Sequence, residues 1–280
     1  MNHFKIKSHA KVNLTLKVVG KSNSFHNIES IVSFLDLHDE IKIKKIKSKN
    51  HKIKFTGKFS NGIQPKNTIS ELLKDIDKKK LLKNKYQIII KKNIPSMAGL
   101  GGGSMNAASI LNFFIKKKIV KLKKKDVIEI SNSIGSDVKL GLYSKNLILK
   151  PNNSIKTLPF KMKFYTLITK PNFGCSTKKI YSKLKKYNKF KFNSISENTL
   201  NFKSFKNMKN DLETVALSEY PKLRILKNFL QDLSNIEFVR MTGSGSAIIA
   251  YFSSFSKCRE AEKKVKKKFG NYWCKTSKTI

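Results

Sequence analysis

The segment Asn93 to Ser104 reads NIPSMAGLGGGS and carries four glycines in five positions: Gly99, Gly101, Gly102 and Gly103. A β-rich run, Tyr86 to Ile90, leads into it. Helical spacing follows from Ser104, with Ala107, Ala108, Leu111 and Phe114 on one face. Strand, glycine loop and helix in that order suit a phosphate. Glycines let the backbone approach the anion, and the helix N-terminus presents N–H groups and about half a positive charge. Two common phosphate loops are excluded. No Lys-Ser/Thr follows the last glycine, and Gly20-Lys21-Ser22 would need a glycine where Thr15 stands. Nor does an acid follow at the spacing of a dinucleotide fold, because the region after the helix, Lys116 to Lys125, is lysine-rich. A nucleotide phosphate loop of another type is expected.

The elements that must position this loop can be read around it. Val12, Leu14, Leu16 and Val18 alternate with Lys11, Asn13, Thr15 and Lys17, so a half-buried strand is expected near the start, with Lys11 on its polar, exposed face. Ile31 to Leu37 and Glu40 to Ile46 read as two strands parted by His38-Asp39. Ile69, Leu72, Leu73 and Ile76 set a helix over 69–82. Asp126 is placed to cap a helix ending near Gly135, followed by Ser136-Asp137-Val138. The pattern breaks at Lys150-Pro151-Asn152-Asn153, which sets a boundary between domains 1–153 and 154–280. The second half reads as strand (Phe164 to Thr169), loop (Pro171 to Thr177) and helices over 212–217 and 223–230. It closes with strand, Gly243-Ser244-Gly245 turn, strand, helix and strand. The stretch 185–207 gives no clear pattern. Interleaved helices and antiparallel strands make the expected class α+β.

The run Pro95 to Ala108, PSMAGLGGGSMNAA, resembles the loop of the GHMP kinases, the group of galactokinase, homoserine kinase and the mevalonate kinases. Within that family it is most similar to members acting on a CDP-linked methylerythritol. Other segments agree in order along the chain: Ala10 to Leu14, Phe25-His26, Ser33 to Leu37, Gly135 to Val138, Pro171 to Thr177, Asn210 to Glu213 and Met241 to Gly245. The resemblance implies a two-domain GHMP kinase fold, a ribosomal protein S5 domain 2-like N-terminal domain and a ferredoxin-like C-terminal one. It implies ATP-dependent phosphorylation of the 2-hydroxyl of the methylerythritol moiety, in the non-mevalonate route to isoprenoid precursors, with Mg2+ carried on the ATP. Asp137 would accept the hydroxyl proton and Lys11 would steady the developing charge. ATP would be held by Pro95, Ser96, Met97, Ala98, Gly99, Leu100, Gly101, Gly102, Gly103, Ser104 and Met105, with Asn67 flanking the adenosine. The substrate would meet Asn13, Phe25, His26, Thr177 and Tyr181, with His26 hydrogen-bonding cytosine and the aromatics stacking on it. The chain departs from the family pattern at Phe25 (usually Tyr), Met105 (usually Ser), Lys139 (usually Pro) and the turn Lys21 to His26.

Composition sets the rival readings. Lys+Arg number 59 against 18 Asp+Glu, a net charge of +41 in 280 residues. Such a balance raises nucleic acid as a partner. Yet the only arginines are Arg224, Arg240 and Arg259, the lysines are spread along the whole chain, and Asn, Ile and Phe rise with them. That is the mark of AT-rich codons rather than of a phosphate-reading patch, for which Arg forks are favoured. A nucleic-acid binder would also leave the glycine loop unexplained, and another small-alcohol kinase of the same family would leave Phe25-His26 unexplained. No specific nucleic acid and no membrane are therefore expected as partners. Cys175, Cys258 and Cys274 form no CxxC pair, which points to structural thiols. Nothing at the start has the apolar run of a signal peptide. A cytoplasmic enzyme, monomer or homodimer, using ATP and a small-molecule substrate, is the expectation.

Overall fold

The computed structural model describes residues 3–22, 25–143, 145–159, 162–188, 200 and 202–280. In chain order its elements are β1 (Phe4–Ser22), β2 (Phe25–Ile46), β3 (Lys52–Thr56), α1 (Thr68–Lys78), β4 (Lys85–Lys91), α2 (Gly102–Lys116) and α3 (Lys124–Ile134). A 3-10 turn (Val138–Leu142) follows, then β5 (Leu147–Leu149), β6 (Ile155–Thr157), β7 (Tyr165–Lys170), α4 (Thr177–Ser182), α5 (Phe202–Asn207), α6 (Asp211–Glu219), α7 (Pro221–Gln231), β8 (Phe238–Met241), β9 (Ile248–Phe252), α8 (Phe255–Lys268) and β10 (Trp273–Lys278). The class is α+β, as expected.

Two compact units emerge, and they interleave along the chain. One takes in the described residues up to Lys11, then Leu37–Ser96, then the stretch from Gly101 to Tyr143. The other takes in Val12–Asp36, Met97–Leu100 and the described residues from Lys145 to Ile280. Both β1 and β2 therefore contribute to each unit.

In the first unit β4 pairs antiparallel with the end of β2, from Glu40↔Lys91 to Ile46↔Lys85, and parallel with β3, from Lys52↔Gln87 to Thr56↔Lys91. Alternate residues Ile88 and Ile90 are fully buried and pack with Ile41, Ile43, Leu72, Ile76, Leu111 and Phe114. The α1 stripe Ile69, Leu72, Leu73 and Ile76 is the helical period made physical. In the second unit an antiparallel sheet runs β10-β7-β9-β8. Leu167, Ile248 and Ala250 on it pack with Leu212 of α6, Leu226 of α7 and Val265 of α8.

Three expectations change. His38-Asp39 does not break a strand; β2 runs through it, and Asp39 is held inside with its carboxylate fully bonded. Asp126 is not the cap residue of α3: it sits one turn in, and its carboxylate accepts the Lys123 N–H at 3.1 Å. Strands β3, β5 and β6 were not expected; each has five residues or fewer, too short for a period of two to show.

Candidate active site

Lys11 lies on β1, and the expected polar face is not an exposed one: the residue is 3% exposed. Its stem passes over Gly101, where an added Cβ would stand 2.9 Å from Lys11 Cγ. Its Nζ reaches Asp137 Oδ2 at 3.2 Å. Burying the stem while the charge meets an acid fixes the ammonium in one place. Asp137 precedes the Val138–Leu142 turn but makes no side-chain cap bond there. Its side chain is about one third exposed, so the pair has one buried member and one facing solvent. A cation and a solvent-facing carboxylate at hydrogen-bond distance are what proton acceptance from an incoming hydroxyl requires.

The glycine loop ends beside this pair. Gly101 takes φ +68 and precedes the first turn of α2. With the left-handed φ and the Lys11 stem against it, only glycine fits. The first intrahelical bond runs from Met105 N to Gly101 O, at 2.8 Å. The N–H groups of Gly102, Gly103 and Ser104 precede it and point out of the helix end. The carbonyl of Gly103 accepts from Thr68 Oγ1 at 2.9 Å, which ties the loop to the start of α1. Met105 behaves differently from the rest of the expected loop set. It is 2% exposed, its sulfur packs where a Cβ on Gly141 would stand, and its N–H is spent in the helix. Asn67 caps α1: its Oδ1 accepts the Ile69 and Ser70 N–H groups, and its Nδ2 donates to the Gln64 and Pro65 carbonyls.

In the second unit the segment Met97–Leu100 is fastened by the Thr242 to Ala247 turn. Ser246 N donates to Met97 O and Ala247 N to Ala98 O, each at 3.2 Å. Gly99 has φ +74, and a Cβ there would meet Thr242 O at 2.0 Å, so the close approach excludes any side chain. Ala98 and Leu100 are buried, while Met97 is 63% exposed. Pro95 is buried and Ser96 exposed. Asn13 is buried: its N–H donates to Thr242 Oγ1 at 3.0 Å and its Nδ2 to Ser30 Oγ at 2.8 Å.

His26 and Tyr181 come together, ring centroids 4.7 Å apart, with Tyr187 at 6.2 Å from the imidazole. Burial, reinforced by the nearby Lys21 ammonium, holds the His26 pKa below its ordinary value. The imidazole is thereby kept neutral, with one donor and one acceptor nitrogen. The Phe25 side chain and residues 23–24 of the first turn lie outside the described residues. Thr177 opens α4, and its Oγ1 shares a 2.7 Å hydrogen bond with Ser244 Oγ. Ser176, ahead of it, caps that helix through Lys179 N.

Family models for the GHMP kinases N terminal domain and the GHMP kinases C terminal domain match residues 66–144 and 197–271. A 4-diphosphocytidyl-2-C-methyl-D-erythritol kinase of Pelagibacter ubique is 55% identical over the whole of both chains. The chain belongs to the GHMP kinase family. A second relative of that name, from Clostridium tetani, is 32% identical over 99% of this chain and all of its own. The fold agrees with solved structures of low identity. A 4-(cytidine 5'-diphospho)-2C-methyl-D-erythritol kinase superposes with TM-score 0.80 at 20% identity, covering 98% of this chain and 99% of its own. The homoserine kinase of Cytophaga hutchinsonii gives 0.72 at 16%, covering 100% and 95%.

Sequence reading of this GHMP kinase missed some residues. Tyr187 lies in a lysine-rich stretch without helical spacing, so nothing marked it as a partner of His26. Ser244 reads in the sequence only as part of a glycine turn, and Thr242 only as part of the matching segment Met241 to Gly245. Asp39 and Lys92, a buried ion pair next to the glycine loop, were missed because a lone acid within a strand reads as a break.

Proposed function

We propose that this chain phosphorylates the 2-hydroxyl of 4-diphosphocytidyl-2-C-methyl-D-erythritol with ATP, a step in the non-mevalonate formation of isoprenoid precursors. The observation that carries the reading is the Lys11–Asp137 pair set beside the glycine loop, in a chain 55% identical end to end to a protein of that name. The N–H groups of Gly102, Gly103 and Ser104 would cradle the ATP phosphates, with the positive end of α2 behind them. Asp137 would take the proton of the attacking hydroxyl, and the Lys11 ammonium would balance charge that builds on the transferring group. Phosphoryl transfer asks mainly for positioning and electrostatics, and a buried cation with one fixed acid supplies both.

The cytidine end would be read by the neutral His26, which can turn one ring nitrogen to the edge of the base, with Tyr181 and Phe25 against the base. Asn13 would meet the methylerythritol part, and Thr177 would donate from the start of α4. Pro95, Ser96, Met97, Ala98, Gly99, Leu100 and Met105 shape the loop through the backbone, and Asn67 flanks the adenosine side as a helix cap. Mg2+ would arrive on the ATP, held by phosphates and waters. A two-domain division at 153/154 falls between the two matched family segments. The enzyme would work in the cytoplasm, as monomer or homodimer, where three unpaired thiols and ATP both belong.

ADP release should be measured with this CDP-linked alcohol, homoserine and mevalonate in parallel. Turnover of the CDP-linked alcohol at least a hundredfold better in kcat/KM is expected. Preference for a simple alcohol would sink the substrate assignment while leaving the family intact.

A further inference from the structure

Asp39 sits in the middle of β2 with no exposure at all, and every direction its carboxylate can accept from is used. Oδ1 accepts the backbone N–H groups of Asn93 at 2.7 Å and Ile94 at 2.9 Å. Oδ2 accepts the Asn106 side-chain amide at 3.0 Å and the Lys92 ammonium. Asn93 and Ile94 are the last residues before the glycine loop, and Asn106 lies one turn into α2. The stretch between these anchors, Pro95 to Met105, is the whole loop expected to hold ATP. Lys92 is 4% exposed, and its Nζ lies 3.3 Å from where a Cβ on Gly102 would be, beneath the first residue of α2.

A core this dry does not keep a carboxylate, an ammonium and an amide for stability. Replacing a buried ion pair by apolar residues is often neutral or stabilising. The arrangement makes sense as geometry: one small rigid group fixes the entry to the loop and the first turn of the helix at a set separation. The loop itself, rich in glycine, has little of its own to hold a shape. We propose that Asp39 is a positioning residue for the nucleotide, closing the glycine loop at both ends so that the Gly102, Gly103 and Ser104 N–H groups are aimed before ATP arrives. This role rests on the reading of that loop as the ATP site. Binding then costs less ordering, and the gain appears as affinity for ATP rather than as rate.

Two variants test it. Asn106→Ala removes only the arm to α2. Asp39→Asn with Lys92→Met removes the acid without leaving a buried lone cation. For each, Mg-ADP and CDP binding are measured by calorimetry and KM for ATP by steady-state kinetics. Loss of a hydrogen bond to a charged group predicts roughly tenfold weaker Mg-ADP binding and a matching rise in KM for ATP. CDP affinity should be unchanged. A purely structural role would lower the active fraction, hence apparent kcat, and leave KM for ATP alone; that result overturns the proposal. So does parent-like Mg-ADP affinity in Asn106→Ala, or in the double variant, where it would mean that Asp39 merely neutralises Lys92. If the parent itself bound CDP but no Mg-ADP, the nucleotide reading of the loop would fall, and this role with it.

Discussion

Lys11 and Asp137 stand 126 positions apart in a lysine-laden chain, yet the fold sets them 3.2 Å from each other. Their roles can be separated from ligand binding. Asp137→Asn keeps size and hydrogen bonding but cannot take a proton, so turnover should fall about 10²–10⁴-fold with Mg-ADP and CDP affinities nearly intact. Lys11→Met should lose a comparable rate, and the double variant should be far from additive. Turnover within a few-fold of the parent in Asp137→Asn would remove it as the base. His26 makes a second prediction. Its pKa is depressed below 6.5 by burial and Lys21, so the folded chain binds fewer protons there than the unfolded one. Its contribution to stability is therefore complete above 6.5 and declines as pH falls from that value toward the folded pKa. CDP affinity should weaken as pH falls and the imidazole gains its proton, beyond the loss that protonation of the terminal phosphate of CDP itself causes. Calorimetry at stepped pH checks this, and His26→Ala should leave only the part of the dependence that belongs to CDP itself. Legibility differs among these residues. Lys11 and Asp137 are legible by family pattern alone, since Lys11 is one lysine among many and Asp137 reads equally well as a helix-cap acid. Asp39 was out of reach, because its value lies in four partners that only the fold assembles.

At the scale of elements, α2 was the most readable part of the chain. Its apolar spacing at Ala107, Ala108, Leu111 and Phe114 announces a helix, and glycines ahead of it announce a loop. Met105 was less readable: by family pattern it belongs to the loop, by packing it belongs to the core. Restoring a serine is thus not a test of nucleotide contact. Met105→Ser removes a buried side chain from between α2 and the turn at Gly141, and should cost roughly 2–4 kcal/mol of stability through the cavity it leaves. Urea unfolding would measure it. An unchanged midpoint with weaker Mg-ADP binding would return Met105 to the loop. The strands were legible where they alternate over many residues, as in Val12 to Val18. They were illegible where they are short, as in β5, whose pairing with β2 at Ser30 to Val32 is decided by non-local contacts, and β6, which pairs with β5.

For the molecule as a whole, the +41 charge asks what else it would bind. Much of it sits on exposed side chains, as with Lys263, Lys264, Lys267 and Lys268 of α8. Binding driven by phosphates alone falls steeply with salt. Nucleic acid should bind loosely at low salt and be released by about 0.2 M, as filter binding would report; nanomolar, sequence-dependent binding at that salt would contradict it. The three thiols are held inert by burial, with Cys175 and Cys274 pushed up to about 11 and Cys258 to about 12. Alkylating reagents near neutral pH should therefore react with the buried Cys175 and Cys258 only as fast as the fold opens, and slowly with the half-buried Cys274, whose thiolate is scarce.

The interleaving of the units has a bearing on how the chain is made. Phe34 O accepts the Ile280 N–H at 3.1 Å, Leu35 bridges Thr279, and the Asp36 carboxylate accepts from Ser277 and from Lys278 N. Val12 to Asp36 leaves the ribosome early, but these partners emerge long after it. The first unit has all its residues once Tyr143 is out, whereas Val12, Leu14, Leu16 and Val18 must wait for the rest of the nascent chain. A chaperone that captures exposed apolar strands during synthesis would find its longest opportunity there.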